Sequence, residues 1–432
     1  ITPSNSLQAV LMAATEHKTY YRNLGTLITG SVIAQLISVA LAPLFSRLYT
    51  PEDFGHLATF MSLLTGLSVI VCLRYDAAIV PAPAHHANQL FNISVRTALI
   101  TSGITLLTIS LFYCFSIERT FLLPWLWLLP LMMLLNGLGK AVIAWLNRHI
   151  LFSLIAQNNI LKSVVTNCII LIAGLIGYQK FGLIGGYFMG LIISLSLLLL
   201  KLHREQKLPF VKIFDRKLNS IAKSHSDFPK YNLPQAFIDM LLINSPVYFL
   251  TYSFNTAIVG WYGLTARILQ APFNLIGYAM EQVFIQKAAE WYHAKQNIQP
   301  LLVNVLKRSS AIAAIIVIPI IWAGPDIFAW AFGSQWRTSG FYAQLLTPYF
   351  FFDFIRTPMT RIPSIITKQK QWYLWSLAGF AVLIITIILS VILKFSTVYF
   401  LTFFSIGQSA VYLSSLIWLF YQTGKLKNKY HS

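Results

Sequence analysis

The chain has 432 residues, of which 56% are hydrophobic and only 10% charged. Soluble domains carry roughly 25% charged residues, so this composition excludes a soluble globular protein and requires a surface that faces lipid. The formal net charge of +19, from 32 Lys and Arg against 13 Asp and Glu, fits the basic excess that membrane proteins keep in short loops on one side; no basic, aromatic-interleaved soluble module is present to serve nucleic acid.

Residues 1–23 are mixed and polar, with no small-residue cleavage site behind a short apolar core. The first apolar stretch is long enough to span and reads as a retained helix, not a signal peptide. A span needs about 20 apolar residues. Charge-free stretches predict spans near 24–46, 54–73, 96–118, 124–146, 160–179 and 181–200, the fourth interrupted by Lys140. After a polar gap come 234–254, 257–280, 309–330, 341–363, 372–393 and 397–420. The expected fold class is therefore an all-α integral membrane protein with about twelve transmembrane helices in two six-helix bundles.

This reading divides the chain into an N-terminal cytoplasmic segment (1–23), a first bundle (24–200), a basic linker (201–233), a second bundle (234–420) and a basic tail (421–432). Residues 201–230 carry eight Lys and Arg, and residues 287–308 carry four. The tail adds Lys425, Lys427 and Lys429. The opposite turns hold only Arg47, Arg119, Lys180, Arg337 and Lys394. The bias predicts both termini in the cytoplasm. Trp125, Trp127, Trp330, Trp336, Trp372 and Trp418 fall near the predicted interfaces. The linker reads as a solvated connection, with docking of anionic lipid headgroups as a second reading. A faint echo joins the halves: APLFSRLYTPEDFG (42–55) and SPVYFLTYSFNTAIVG (245–260) each run from a small residue and Pro to a Gly that opens the next helix.

Catalytic signatures are missing. The nearest string to a phosphate loop is GLGKA (137–141), which lacks the spaced first glycine and lies inside a span. There is no H-E-x-x-H, D-x-D or Cys/His cluster. Cys72, Cys114 and Cys168 sit in apolar stretches, so no disulfide, metal or cofactor is expected. The predicted outside loops are too short to hold the catalytic groups of a polymerase or ligase. Transport suits the chain better than catalysis.

Ionisable groups at membrane depth normally face a water-filled cavity or a partner. The candidates are Arg74, Asp76, Lys140, Asp239, Arg267, Asp353, Arg356 and Arg361. Arg74 and Asp76 read either as cavity groups or as a snorkelling interfacial pair. Lys140 lies about two turns from a span end and has the same alternatives. Arg267 stands deep in its span before Pro272, in a cavity or paired with Asp239. On a continuous helix Asp353, Arg356 and Arg361 share one face, and Asp353 can neutralise Arg356. Pro358 and Pro363 kink or break that helix; the alternative is a helix ending near 358, with Arg361 pointing at cytoplasm. The balance of deep charge is basic, so the lumen should attract an anion.

Several strings, in order, carry a resemblance: SRLYTPEDFG (46–55), RYDAAIVPA (74–82), AWLNR (144–148), DFPKYNLPQA (227–236) and VGWYGLTARILQAPFNLIGYAMEQVF (259–284). The chain resembles the bacterial polysaccharide flippases of the Wzx type, in the superfamily that also holds multidrug antiporters and the lipid II flippase. The resemblance implies a V-shaped twelve-helix transporter of MATE/MurJ type that moves polyprenyl-diphosphate-linked oligosaccharide between leaflets by alternating access. It implies coupling to H+ or Na+, contact with membrane lipid, and a polysaccharide polymerase and chain-length regulator as further candidate partners. Arg267, Arg356, Arg361, Lys140 and Arg74 are the expected substrate-binding cations, from depth and charge. Asp239, Asp353, Asp76 and Glu281 are the expected ion-coupling acids, with an ordinary Glu281–Lys287 pair as the alternative. A multidrug antiporter or a polytopic polymerase or ligase are the competing functions; the basic lumen and short loops count against them.

Overall fold

The computed structural model describes residues 25–115, 124–209 and 211–431. The expected N-terminal segment 1–23, and Arg119 at the close of the third expected span, lie outside the described residues, as do the side chains of Lys180, Lys427 and Lys429. The described chain is helical, with no strand among the described residues.

The elements run α1 (Gly25–Leu48), α2 (Pro51–Ile70), the short α3 (Tyr75–Ala78), α4 (Ala84–Phe115), α5 (Leu129–Arg148), α6 (Phe152–Leu175) and α7 (Gln179–Arg204). Then come the short α8 (Lys217–Ser224), α9 (Leu233–Ser253), α10 (Thr256–His293), α11 (Gln299–Phe332), α12 (Arg337–Arg356), α13 (Gln369–Ile392) and α14 (Thr397–His431). Ten helices among the described residues are long and apolar enough to cross a membrane, which makes this a multi-pass integral membrane protein. The long α10 and α12 fall outside that set. They are also the helices that carry Arg267, Glu281, Asp353 and Arg356.

Local chemistry fixes several boundaries. At the start of α2, Asp53 Oδ2 accepts from the Thr50 backbone N–H at 3.0 Å, and Thr50 Oγ1 accepts from the Asp53 N–H at 3.3 Å. This reciprocal cap satisfies two otherwise orphaned donors, and Pro51 supplies a first residue that needs none. Asn255 caps α10 in the same manner, its Oδ1 accepting from Ile258 N at 3.0 Å. In α11 the backbone leaves helical angles at Ala323 (φ −138°, ψ 25°), two residues before Pro325. That proline has no N–H and its ring crowds the preceding turn, which accounts for the kink.

Two departures from the expected spans have physical causes. Helix α4 begins at Ala84, well before the expected 96, because charge-free gaps mark the lipid-embedded part of a helix and not its polar extension. The expected span 341–363 is not one helix. Helix α12 stops at Arg356, followed by a 3₁₀ turn at Thr357–Met359 and a single turn at Ile362–Ile365. Pro358 and Pro363 cannot donate to the ladder, so the common face drawn through Asp353, Arg356 and Arg361 does not extend to Arg361.

The chain forms two compact units. One comprises residues up to Leu41 and Phe60–Met240; the other comprises Ala42–Thr59 and Leu241–Ser432. In the first, α6 packs on α7 and α4 on α5, and α8 lies on α4. Its core gathers Leu90, Ile93, Ala141, Leu146, Ile155 and Leu202. Leu218 of α8 is buried in that core, so the segment after α7 is attached to the first unit. Within this unit a polar seam joins α1 to α6: Asn159 Nδ2 donates to Ser31 Oγ at 3.2 Å, and Asn167 Nδ2 to Ser38 Oγ at 3.0 Å.

In the second unit α12 packs against α10, α11 and α14, and α13 packs on α14. The short stretch Ala42–Thr59 belongs here. Trp336 Nε1 donates to the Ser46 carbonyl at 2.8 Å, and the Trp336 ring meets Phe54 edge-to-face at 4.9 Å. Trp336 is fully buried and Trp125 is 4% exposed. Neither is an interfacial belt residue as the sequence suggested: the Ser46 carbonyl satisfies the Trp336 indole N–H inside the core, and Trp125 packs edge-to-face on Phe60 at 5.1 Å. Trp330, 84% exposed, retains the belt reading.

Candidate functional site

Each unit carries its own cluster of the charged residues singled out from the sequence. In the first unit the cluster is built on a backbone irregularity. Leu73 and Arg74 both have positive φ, 47° and 64°. Left-handed backbone costs a residue with a Cβ about 1–2 kcal/mol, so something must hold this pair. Arg148 does so at the far end of the segment: its Nη1 donates to the carbonyls of Ile79 (2.7 Å), Val80 (3.1 Å) and Ala82 (2.7 Å). Tyr75 Oη donates to the Ala222 carbonyl at 3.2 Å, and burial pushes that hydroxyl above its ordinary phenol range. The segment 73–82 is thus a fixed loop between α2 and α4.

Lys140 points to this loop from α5. Its Nζ donates to the Ser68 carbonyl near the end of α2. A lysine on the last carbonyls of a helix complements their partial negative charge. Asp76 and Arg74 act on Lys140 through space, one attractive and one repulsive. Arg74 Nε has no hydrogen-bond partner among the described residues. The structure therefore gathers Arg74, Asp76 and Lys140 around one irregular loop. Asp239, on α9, is an exposed residue of the same unit.

In the second unit the geometry centres on Arg356. Its guanidinium lies 4.7 Å from the Trp372 ring centre and 4.6 Å from that of Tyr412. Two aromatic faces thus hold the cation, an arrangement that a flat guanidinium suits better than a compact ammonium. Tyr412 also hydrogen-bonds Arg356 and Tyr349, and Asp353 adds its charge one turn below. Arg356 Nε keeps no hydrogen-bond partner among the described residues. Helix α12 thus aligns Tyr349, Asp353 and Arg356 on one face, at i, i+4 and i+7.

Arg361 and Glu281 meet. Arg361 Nε lies 2.8 Å from Glu281 Oε1, with the glutamate side chain 5% exposed and the arginine 65% exposed. Glu281 is paired with Arg361, not with Lys287, because the break after Arg356 returns the chain onto α10. Arg267 sits half-buried on α10, one turn before Pro272. That proline deprives the Ile268 carbonyl of its intrahelical donor.

Sequence reasoning missed two partners of Arg356, Trp372 and Tyr412, and Tyr349, which hydrogen-bonds Tyr412. Tyr349 was accessible from its spacing on the same helix face. Tyr412 and Trp372 come from α14 and α13, and no local pattern announces them. Arg148 figures in the sequence only within AWLNR (144–148), one of the strings that carry the resemblance, yet it fixes the carbonyls of Ile79, Val80 and Ala82. Among the described residues no group of three or more His, Cys, Asp or Glu could hold a metal ion.

This arrangement of helices is similar to that of several solved transporters. One is the lipid II flippase MurJ in an inward closed conformation, with a TM-score of 0.63, 13% identity, and coverage of 98% of this chain and 90% of that one. Another is a MOP superfamily transporter from Pyrococcus furiosus Vc1 (DSM3638), described as having a binding pocket of reverse polarity; it gives a TM-score of 0.58 at 12% identity, covering 94% and 97%. An inward-facing multidrug resistance MATE transporter gives 0.57 at 15% identity, covering 93% and 95%. The fold is therefore that of a MOP-type membrane transporter, all-α and multi-pass.

Within that class the chain belongs to the polysaccharide biosynthesis protein family, whose model matches residues 44–340. No curated protein matches it.

Proposed function

We propose that this protein is a flippase that moves polyprenyl-diphosphate-linked oligosaccharide repeat units from the cytoplasmic to the periplasmic leaflet of a bacterial inner membrane, for surface polysaccharide. The observation that carries the reading is Arg356: a guanidinium held between two aromatic rings on α12, with its Nε–H unpaired among the described residues. A diphosphate is a multivalent oxyanion, and guanidinium donors bind such groups through charge-assisted bonds. Arg267 and Arg361 of the same unit, and Arg74 and Lys140 of the first unit, are the further proposed substrate-binding cations. The polysaccharide biosynthesis family supports the oligosaccharide, and the likeness in fold to a lipid II flippase supports a lipid-linked carrier. The prenyl tail stays in lipid while the sugars cross.

Asp353, Asp76, Asp239 and Glu281 are the proposed coupling acids for H+ or Na+ in an alternating-access cycle. In this reading α10 and α12 also span, for twelve spans in all, and both termini are cytoplasmic. The polar composition of these two helices follows from their role in lining the path.

The test is the fate of the lipid-linked repeat unit in a strain lacking the gene, complemented with wild type or with Arg356→Ala. Accumulation in the cytoplasmic leaflet, relieved by wild type but not by Arg356→Ala at equal protein level, is the expected result. If the unit reaches the periplasmic leaflet without this protein and only drug sensitivity changes, the flippase reading fails and an antiporter takes its place.

A further inference from the structure

The segment between α7 and α8 has features that the proposed transport leaves unused. It is held in place from several sides. Trp145 Nε1 donates to the Lys207 carbonyl at 2.9 Å, and Arg96 Nη2 donates to Asn219 Oδ1 at 2.8 Å. Leu218 is 1% exposed, and Leu208, Ile213, Ile221 and Phe228 pack on the same core. A solvated linker needs none of these anchors.

On this anchored segment Phe214 is 95% exposed and Val211 is 53% exposed. Both lie outside every membrane-spanning helix, so lipid tails beside a span do not account for them. Their neighbours Lys212, Arg216 and Lys217 are exposed as well, and Lys223 follows on the outer face of α8. Residues 201–230 hold eight basic side chains against Glu205, Asp215 and Asp227. Glu205 is already matched by Lys207 at 2.6 Å, which holds its carboxyl below the usual range.

A one-sided loop bias accounts for the lysines and arginines but not for a bare phenylalanine among them. Basic side chains flanking exposed apolar ones form the pattern of a surface that lies in a membrane interface, cations on the phosphates and apolar groups among the upper acyl chains. The preceding helix α7 is itself a span that ends at Arg204, so the chain leaves the bilayer about ten residues before Phe214.

We propose that residues 211–217 dock onto anionic phospholipid headgroups of the surrounding leaflet, with Phe214 and Val211 inserted and Lys212, Arg216 and Lys217 on the phosphates. The docking fixes the first unit, through α8, relative to the bilayer surface. It does not rest on the identity of the transported substrate.

Hydrogen exchange on the full-length protein tests this in two kinds of lipid nanodisc, phosphatidylcholine alone and phosphatidylcholine with phosphatidylglycerol. Neither contains a polyprenyl lipid. Exchange over 211–217 should be several-fold slower in the anionic discs, while α4 exchanges alike in both. The combined Lys212→Gln, Arg216→Gln and Lys217→Gln variant should lose that difference, and Phe214→Ser should shrink it at unchanged charge. Unchanged α4 exchange in each variant reports that the fold is intact. The wild-type lipid comparison decides the matter even where a variant fails to fold. Equal exchange of the wild type in both discs overturns the proposal. A Phe214→Ser variant with the full wild-type difference overturns the insertion of Phe214.

Discussion

Gly55 and Gly260 occupy the same position in two helices that meet, and each excludes a side chain for the same reason. A Cβ on Gly55 would lie 2.0 Å from the Thr256 carbonyl oxygen, and one on Gly260 would lie 1.8 Å from the Pro51 carbonyl oxygen. Pro51 and Thr256 are the first residues of α2 and α10, and each glycine comes four residues later. The contact reads the same in both directions, as an isologous interface does between subunits. Its neighbours continue it: a Cβ on Gly263 would meet Ala58 Cβ at 2.9 Å, and Thr59 and Thr251 share a hydrogen bond at 3.0 Å.

Because both clashes are with backbone, neither can be relieved by a rotamer change. Gly55→Ala and Gly260→Ala should each destabilise the protein by about 1–3 kcal/mol, the usual range for overpacking. Gly103→Ala serves as the control, since a Cβ there meets nothing within 4 Å. Thermal unfolding of the purified protein should give lower midpoints for the first two and an unchanged or higher one for the third. Equal midpoints for all three would remove the close contact from consideration.

Arg356 should not tolerate lysine. Arg356→Lys keeps the charge but loses the flat face between Trp372 and Tyr412, a loss of about 0.5–2 kcal/mol. Repeat-unit translocation should fall sharply with protein level maintained. Trp372→Leu should weaken transport in the same direction, and the two changes combined should cost less than their sum. Additive losses would mean that ring and guanidinium act separately.

The Arg361–Glu281 pair should be asymmetric. Arg361→Ala strands a carboxylate that is nearly fully buried, whereas Glu281→Gln leaves an arginine that can turn to water. Breaking a buried pair costs about 3–5 kcal/mol; the exposure of Arg361 discounts this to roughly 1–3 kcal/mol. Arg361→Ala should unfold at lower temperature than Glu281→Gln, and the double variant should recover part of the loss. Greater damage from Glu281→Gln would point to a role for the acid beyond pairing, and ion-coupling assays would then follow.

Arg148→Gln should loosen the stretch that contains Arg74 and Asp76. Hydrogen bonds from a charged donor are worth roughly 1.5–3 kcal/mol each, and three carbonyls share this one. Faster hydrogen exchange over residues 73–82, with α6 unchanged, is the expected outcome. An unchanged rate there would show that the left-handed turn at Leu73 and Arg74 holds without Arg148.

The sequence by itself determined the class of this protein and the course of its helices. Hydropathy is a local property, and long apolar stretches such as 181–200 and 372–393 must become helices because lipid offers no partner for backbone groups. Pro358 and Pro363 also announced their break, and the echo between 42–55 and 245–260 lay in plain view. What the echo could not convey is that its two copies touch. Tertiary structure alone decided that Gly55 faces Thr256, that Trp336 is buried against Ser46, and that Arg356 is clasped by Trp372 and Tyr412. It likewise decided that Arg361 reaches Glu281 and that Leu218 ties the basic segment to the first unit. The reason is the same in each case. Charge, length and periodicity specify which face of a helix is polar, whereas the partner of that face comes from a helix tens or hundreds of residues away, chosen by packing.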